Sequence, residues 1–386
     1  MKILMVSMFS NHFFNWTGQL RESEHEVYWL DVFDSNTKVN ELDFVFQILG
    51  WRNKIKYPGR YWIKKHLPNL NRIINSFNQR DFSKTFERKL LEINPDVVHS
   101  FVMYSACVPI LKVMKRNSEI KWMYSAWGND LYFYQNESVK LQGIKETLPK
   151  LDYMFADCSR DHDIAKKYGF NGKYLGTFPT GGGYDFELYN PYMLPFIKRK
   201  KIIVKGYEHN FGRCIKVLEA ITLLKEELED HEIIVFAANK KVFNYAKEKT
   251  LDSWENVTIC GLLSHNEVLK HMGSSQIYIG NSISDGTPNT LLEAIIMGAF
   301  PIQSNPGGAT AELISHKENG LLIDDPEDVK EIVKHISYAL NHLDKVREGI
   351  AYNNKEIKPK LERKYIKKLV LAQYEKVAQE LKNNND

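Results

Sequence analysis

The sequence predicts an α/β protein of two doubly wound domains, and three observations carry that reading. Short apolar runs alternate with helical patterns through both halves of the chain, which is the signature of parallel sheets covered by helices on both faces. The chain is 386 residues long, enough for two separate cores. Between the halves lies the chain's most flexible composition, Thr177-Phe178-Pro179-Thr180-Gly181-Gly182-Gly183-Tyr184-Asp185. Three consecutive glycines open backbone angles closed to other residues, so this stretch reads as a hinge or a linker. The expected division is residues 1–180 and 181–359, with helices from about 360 to 386 returning to complete the first domain.

In the first half, strands are expected over residues 1–7, 26–31, 95–100, 121–125 and 153–157, with a helix over 82–93. The opening apolar run is one strand long and lacks a small-residue cleavage site, so it reads as a buried strand and not a signal peptide. In a parallel sheet, ligands gather at the carboxyl ends of strands. One such end is Ser125-Ala126-Trp127-Gly128-Asn129-Asp130-Leu131. There Gly128 permits a close turn, and Asp130 either orients a substrate hydroxyl or caps the following helix. His99, at another strand end, reads as a structural hydrogen-bonding residue.

The stretch from 44 to 80 stands apart. It holds Arg52, Lys54, Lys56, Arg60, Lys64, Lys65, Arg72 and Arg80 with no acidic residue, and Trp51, Tyr57, Tyr61 and Trp62 are interleaved. One reading is a solvated helical face over core aromatics. The other is a surface for an anionic membrane or a lipid-phosphate-linked acceptor, since aromatics and cations suit a headgroup layer. Nucleic acid is not expected: net charge is only +4, and no recognition motif accompanies it.

In the second half, strands are expected over 202–207, 232–237, 257–263, 276–280, 300–305 and 319–323. Lys205 lies in the first of them, and Arg213 opens a helix over 214–228. A cation at a helix start opposes the dipole unless an anion is present, so both read as diphosphate ligands. The backbone of Gly261, Leu262 and Leu263 is placed to read the edge of a base. The organising stretch is Ser284-Asp285-Gly286-Thr287-Pro288-Asn289-Thr290-Leu291-Leu292-Glu293. A strand, a loop of small residues and a helix start form an anion site. Asp285 and Glu293 bracket it, and carboxylates accept hydrogen bonds from sugar hydroxyls. Together these features suggest a nucleotide sugar.

Other classes fit poorly. Cys107, Cys158, Cys214 and Cys260 are widely spaced with no CxxC pair, against a zinc site or disulfide framework and in keeping with a reducing compartment. No apolar run approaches the ~20 residues of a membrane span. No GxGxxG follows the first strand, as a nicotinamide dehydrogenase would require.

The second half resembles the family 4 retaining glycosyltransferases. Their signature of two glutamates separated by seven residues is kept in spacing from Asp285 to Glu293, with Asp at the first position. Downstream, Gly307-Gly308, Glu312 and Asn319-Gly320-Leu321-Leu322 keep the family's order. The resemblance implies the GT-B fold, two Rossmann-like domains facing a central cleft. It implies that Asp285 holds donor-sugar hydroxyls, that the amides of Gly286, Thr287, Asn289 and Thr290 with Pro288 between them meet sugar and diphosphate, and that Glu293 holds the ribose. Lys205 and Arg213 resemble the basic pair that stabilises the leaving diphosphate. Trp127 stands where family members often carry a histidine, so Asp130 is the acidic candidate in that loop.

By this resemblance a hexose or N-acetylhexosamine passes from a nucleoside diphosphate, UDP in preference to GDP, to a glycan or lipid-linked acceptor in surface polysaccharide or glycoconjugate assembly. The anomeric configuration is kept, and no metal or other cofactor is needed, because lysine and arginine carry the charge. Trp51, Arg52, Lys54, Lys56, Arg60, Trp62, Lys64, Lys65 and Trp127 are the expected acceptor-facing or membrane-facing set. The expected location is the cytoplasm, at most peripheral on the inner face of the membrane. Two other readings stay open: a nucleotide-sugar 2-epimerase of the same architecture and a non-catalytic glycosyltransferase-like subunit.

Overall fold

The computed structural model describes residues 1–55 and 58–383, and Lys56 and Tyr57 of the basic stretch fall outside them. The chain forms two compact units. One comprises residues 1–156, 162–176 and 369–386, and the other residues 157–161 and 177–368.

Among the described residues, the first unit is built on seven strands: β1 (Lys2–Ser7), β2 (Glu26–Asp31), β3 (Phe46–Ile48), β4 (Val97–Phe101), β5 (Lys121–Ala126), β6 (Tyr153–Ala156) and β7 (Lys173–Thr177). Their order is β3-β2-β1-β4-β5-β6-β7, and the pairs from β3 through β6 run parallel. The short edge strands β3 and β7 were not expected. Three residues inside a basic stretch, and a five-residue strand just before a glycine run, carry little periodic signal.

Its helices are α1 (Asn11–Gly18), α2 (Arg60–His66), α3 (Pro68–Asn78), α4 (Phe82–Ile93), α5 (Leu111–Met114), α6 (Ser138–Thr147) and α7 (Ser159–Lys167), the last of which starts in residues assigned to the second unit. Alternate residues of the strands supply two cores. Leu4, Val6, Leu30 and Val98 pack with Phe86 and Leu90 of α4. On the opposite face, Phe13 and Trp16 of α1 meet Phe101 and Phe155 at ring separations of 5.2 Å. Burial of each such side chain contributes roughly 1.5–3 kcal/mol, which is why both faces read as continuous apolar runs.

Residues 369–383 of the C-terminal helix complete this second core. Tyr374 is fully buried; its hydroxyl receives the Trp16 indole N–H at 3.0 Å and lies 2.8 Å from His99 Nδ1, while His99 Nε2 lies 2.9 Å from Ser125 Oγ. Burial holds His99 well below the usual histidine range. It is the structural residue expected.

The second unit has six strands: β8 (Lys201–Lys205), β9 (Glu232–Phe236), β10 (Val257–Ile259), β11 (Ser275–Gly280), β12 (Phe300–Ser304) and β13 (Leu321–Ile323). Their order is β10-β9-β8-β11-β12-β13, every pair parallel. Numbered within the unit this is 3-2-1-4-5-6, the doubly wound order whose switch point falls between β8 and β11.

Its helices are α8 (Phe186–Tyr189), α9 (Cys214–Leu223), α10 (Lys240–Glu248), α11 (His265–Gly273), α12 (Asn289–Ile296), α13 (Val329–Asn341), α14 (Leu343–Tyr352) and α15 (Arg363–Asn383), the last continuing into the first unit. Helix α9 is shorter than expected, ending at Leu223. Val204, Ile277 and Ile302 face α9 and α13, while Ile203 and Tyr278 face α12.

Candidate active site

Two loops leave the switch point of the second sheet side by side. The loop after β8 carries Lys205 through Arg213, and the loop after β11 carries Asn281 through Pro288. Backbone bonds zip them together: Arg213 N to Asn281 O and Ile283 N to Phe211 O, both 2.9 Å. That pairing brings three sequence-predicted residues to one place. Lys205 Nζ lies 3.8 Å from Asp285 Oδ2, and Arg213 stands at the start of α9.

The charges there are already engaged. The Arg213 guanidinium binds Glu327 and the carbonyls of Gly212 (2.8 Å) and His209 (3.2 Å). Glu208 fills the start of α9, accepting from Ile215 N at 2.9 Å. The carboxylates opposite Arg213 and the helix start are therefore the protein's own. His209 lies between these groups. Burial, then the Lys205 charge, holds it below the usual histidine range, and Arg213 adds to the effect.

The loop into α12 is shaped by close packing. Gly286 has room for no side chain, because a Cβ would fall 2.3 Å from Asp157 Oδ2. Its N–H donates to Asp285 Oδ1 at 3.0 Å. Thr287 Oγ donates to Asp157 O at 2.7 Å. Pro288 is the N-cap of α12, in an extended conformation. Asn289 Oδ1 accepts from the buried Tyr184 hydroxyl at 3.0 Å, and Thr290 Oγ lies 2.9 Å from Tyr278 Oη.

Glu293, buried on the first turns of α12, lies 2.7 Å from His265 Nε2 at the start of α11. The bond from Glu293 raises the His265 pKa. Leu262 is 90% exposed, and Ala237 N donates to Gly261 O at 2.9 Å, which sets the 261–263 turn beside the end of β9.

Sequence reasoning missed Arg160. Its Nη1 donates to Asp285 O (2.8 Å) and Pro306 O (2.6 Å), while Nε and Nη2 hold the buried Asp161 at 2.9 and 2.8 Å. Glu312 accepts from Ser159 N at 2.7 Å and Arg160 N at 2.9 Å. Asp157, Cys158 and Asp161 set two carboxylates and a thiol within 4.8 Å of one another. Burial, then the Asp157 charge, pushes the Cys158 thiol up. With Asp161 neutralised by Arg160, this group is a charged strut under the Asp285 loop.

Residues 207–357 match the family described as Glycosyl transferases group 1. The matched segment contains Arg213, Asp285 and Glu293, and Lys205 lies two residues before it. An uncharacterized glycosyltransferase of Haemophilus influenzae is 24% identical over 147 residues, 38% of this chain. The match spans about two-fifths of that relative's length, 41%. Among solved structures, sucrose-phosphate synthase from Thermosynechococcus elongatus superposes with a TM-score of 0.74 at 14% identity, covering 98% of this chain and 99% of its own. Anabaena Alr3699/HepE in complex with UDP-glucose superposes with a TM-score of 0.69 at 12% identity, covering 97% and 100%. These likenesses show the fold: GT-B, with two Rossmann-like doubly wound sheets.

In the first unit several expectations need correction. Asp130 is buried, and both its oxygens accept from Met103 N at 2.8 Å while the Tyr124 hydroxyl donates to one of them. It anchors the turn after β4 and does not present a carboxylate to a substrate. That turn is strained: Val102, β-branched, sits at φ 73°. Trp51 is 5% exposed with its indole N–H on Asp31 O, and Arg52 is held by Phe33 O and Gln79. Trp51 is therefore not an outward-facing residue, while Arg52 is half-buried. Trp127 is half-buried against Phe101, and His12 lies 6.3 Å from it. His12, which the sequence gave no reason to single out, stands near the carboxyl end of β1.

Lys54 reaches back to Phe77 O at 2.7 Å. Trp62, Lys64 and Lys65 are exposed on α2, and Arg60 opens it. Among the described residues, no helix is long and apolar enough to cross a membrane.

Proposed function

We propose that the protein is a retaining, metal-independent glycosyltransferase that moves a hexose or N-acetylhexosamine from a nucleoside diphosphate, with UDP favoured over GDP, to a glycan or lipid-linked acceptor. The observation that carries this reading is the juxtaposition of Lys205, Asp285 and Arg213 at the switch point of a 3-2-1-4-5-6 sheet, with Glu293 on the helix that follows. The group 1 family match, which takes in Arg213, Asp285 and Glu293, supports the transferase class, and the UDP-glucose complex of the Anabaena protein supports the donor class.

In this mechanism the ribose diol donates to Glu293, and the diphosphate lies over the start of α12 with its charge facing Lys205 and Arg213. Asp285 accepts from hydroxyls of the donor sugar. As the bond from the anomeric carbon to the diphosphate oxygen lengthens, negative charge grows on that oxygen. Lys205 and Arg213 stabilise it, a role in which single donors contribute about 2.7–4 kcal/mol. The acceptor hydroxyl approaches from the same face and passes its proton to the departing phosphate oxygen, so the configuration is retained. The protein supplies position and field, and no step calls for a metal.

Surface polysaccharide or glycoconjugate assembly in the cytoplasm is the setting we assign. Widely spaced free thiols fit a reducing compartment. The test is a screen of UDP- and GDP-sugars for nucleoside diphosphate release, with and without acceptor oligosaccharides, by mass spectrometry. Release that increases with acceptor supports the reading. Conversion of a UDP-sugar to its epimer without release, or no donor turned over, contradicts it.

A further inference from the structure

Residues 54–79 leave the first unit as an excursion closed tightly at its base. Asn53 and Gln79 form an antiparallel bridge. Lys54 N donates to Asn78 O at 2.8 Å, and Arg80 N to Arg52 O at 2.7 Å. The Asn78 amide completes the clamp, accepting from Ile55 N at 2.8 Å and donating to Ile55 O at 2.9 Å. Arg80 Nη1 adds bonds to Trp51 O and Asn53 O. Trp51, the buried aromatic, roots the whole clamp in the core.

What the clamp holds out is α2 and α3, and α3 is amphipathic in the wrong sense for a core helix. Leu70, Ile73, Ile74 and Phe77 recur at the i, i+3, i+4, i+7 spacing that gathers them on one face. That face is not buried: every residue of α3 is described and none is in the core. Ile73 is 58% exposed and Phe77 75%. Trp62 on α2 is 59% exposed, and Leu67 and Ile55 are exposed as well. A soluble protein does not ordinarily leave a contiguous apolar stripe in water.

Charge identifies what covers it. Lys64, Lys65 and Arg72 are exposed on the same two helices, and the sequence has no acidic residue from Phe44 to Arg80. A protein partner of general composition would leave those cations unmatched. An anionic bilayer meets both demands, since its headgroups attract cations and its acyl boundary takes apolar side chains. At 1.5 Å per residue, the 11-residue α3 is about 16 Å long, too short to span a bilayer and suited to lying in the interface.

We propose that α2 and α3 dock the protein on an anionic membrane surface, with Ile73 and Phe77 of α3 entering the acyl boundary and Lys64, Lys65 and Arg72 facing lipid phosphates. The proposal goes beyond the transferase reading and does not depend on it.

The test is flotation of the full chain with phosphatidylglycerol vesicles and with phosphatidylcholine vesicles. The expected result is binding to the anionic vesicles at least about tenfold tighter than to the neutral ones, weakening as salt is raised. The double variant Ile73→Ser/Phe77→Ser should lose binding about tenfold or more with an unchanged melting temperature and unchanged turnover of a soluble acceptor. The triple variant Lys64→Gln/Lys65→Gln/Arg72→Gln should lose the preference for anionic lipid. Vesicle binding that is absent, or equal in parent and double variant, overturns the proposal. So does a parent that fails to bind vesicles but dissociates to a smaller species when Ile73 and Phe77 are changed, because the stripe would then join copies of the chain.

Discussion

His265 Nε2 lies 2.7 Å from Glu293 Oε1, with the histidine largely exposed and the carboxylate largely buried. The bond to Glu293 raises the His265 pKa above its ordinary 6.5. The pair is therefore fully formed below about pH 6.5 and weakens as pH rises through the raised value. Tyr184 and Tyr189 lie near the same carboxylate, and burial pushes both hydroxyls up so that they stay neutral throughout. If Glu293 takes the ribose, protonated His265 competes with it. UDP binding should strengthen as pH rises from 6 to 8, and His265→Gln should flatten the part of that slope the histidine contributes. Calorimetric titration of both proteins with UDP checks this; identical slopes would remove His265 from the account.

Lys205 and Arg213 sit where charge is proposed to grow on the leaving diphosphate, so their removal should lower turnover more than donor affinity. Arg213→Ala should cost about 10²–10³ in kcat with a smaller change in KM. Steady-state kinetics on the parent and variant separate the two. A loss confined to KM would mean that Arg213 contributes only ground-state binding.

Gly286 allows no Cβ, because Asp157 Oδ1 and Oδ2 would lie 2.4 and 2.3 Å from it. Gly286→Ala should therefore displace the loop and lower donor use, with a stability loss of about 1–3 kcal/mol typical of overpacking. Adding Asp157→Ala should restore part of both, since it removes the atoms that collide. A double-mutant cycle on melting temperature and kcat/KM measures this. Strictly additive effects would contradict the steric explanation.

Arg160→Ala leaves Asp161 buried without its guanidinium and frees the carbonyls of Asp285 and Pro306. Loss of one partner from a buried pair typically costs about 3–5 kcal/mol. Denaturant unfolding should show a loss of that size, and Arg160→Ala/Asp161→Ala should recover part of it. A single variant as stable as the parent would show that Arg160 is no strut.

The sequence made the central strands and the Asp285–Glu293 stretch legible because their signals are local. Buried parallel strands are continuous apolar runs, and a strand, small-residue loop and helix start are neighbours in the chain. Edge strands β3 and β7 need only one partner and little apolar length, so they left no such mark. Arg160 acts on Asp285 from 125 residues away, and only the fold brings them together. Asp130 illustrates the converse. A carboxylate at a strand end reads the same whether it faces a substrate or, as here, two hydrogen-bond donors of its own core. The 44–80 stretch announced its charge in composition, but which aromatics face outward depended on the clamp that buries Trp51 and exposes the α3 stripe.

The central claim is that the second unit's switch point binds and activates a nucleotide sugar. It is tested most directly by measuring nucleoside diphosphate release from the best donor in parallel for the parent and Glu293→Gln, with melting temperatures recorded for both. The account predicts acceptor-stimulated release by the parent and a loss of at least about tenfold in kcat/KM for the variant, expressed mainly in donor KM, with the fold intact. A Glu293→Gln protein that turns over the donor with the parent's KM and kcat would contradict it.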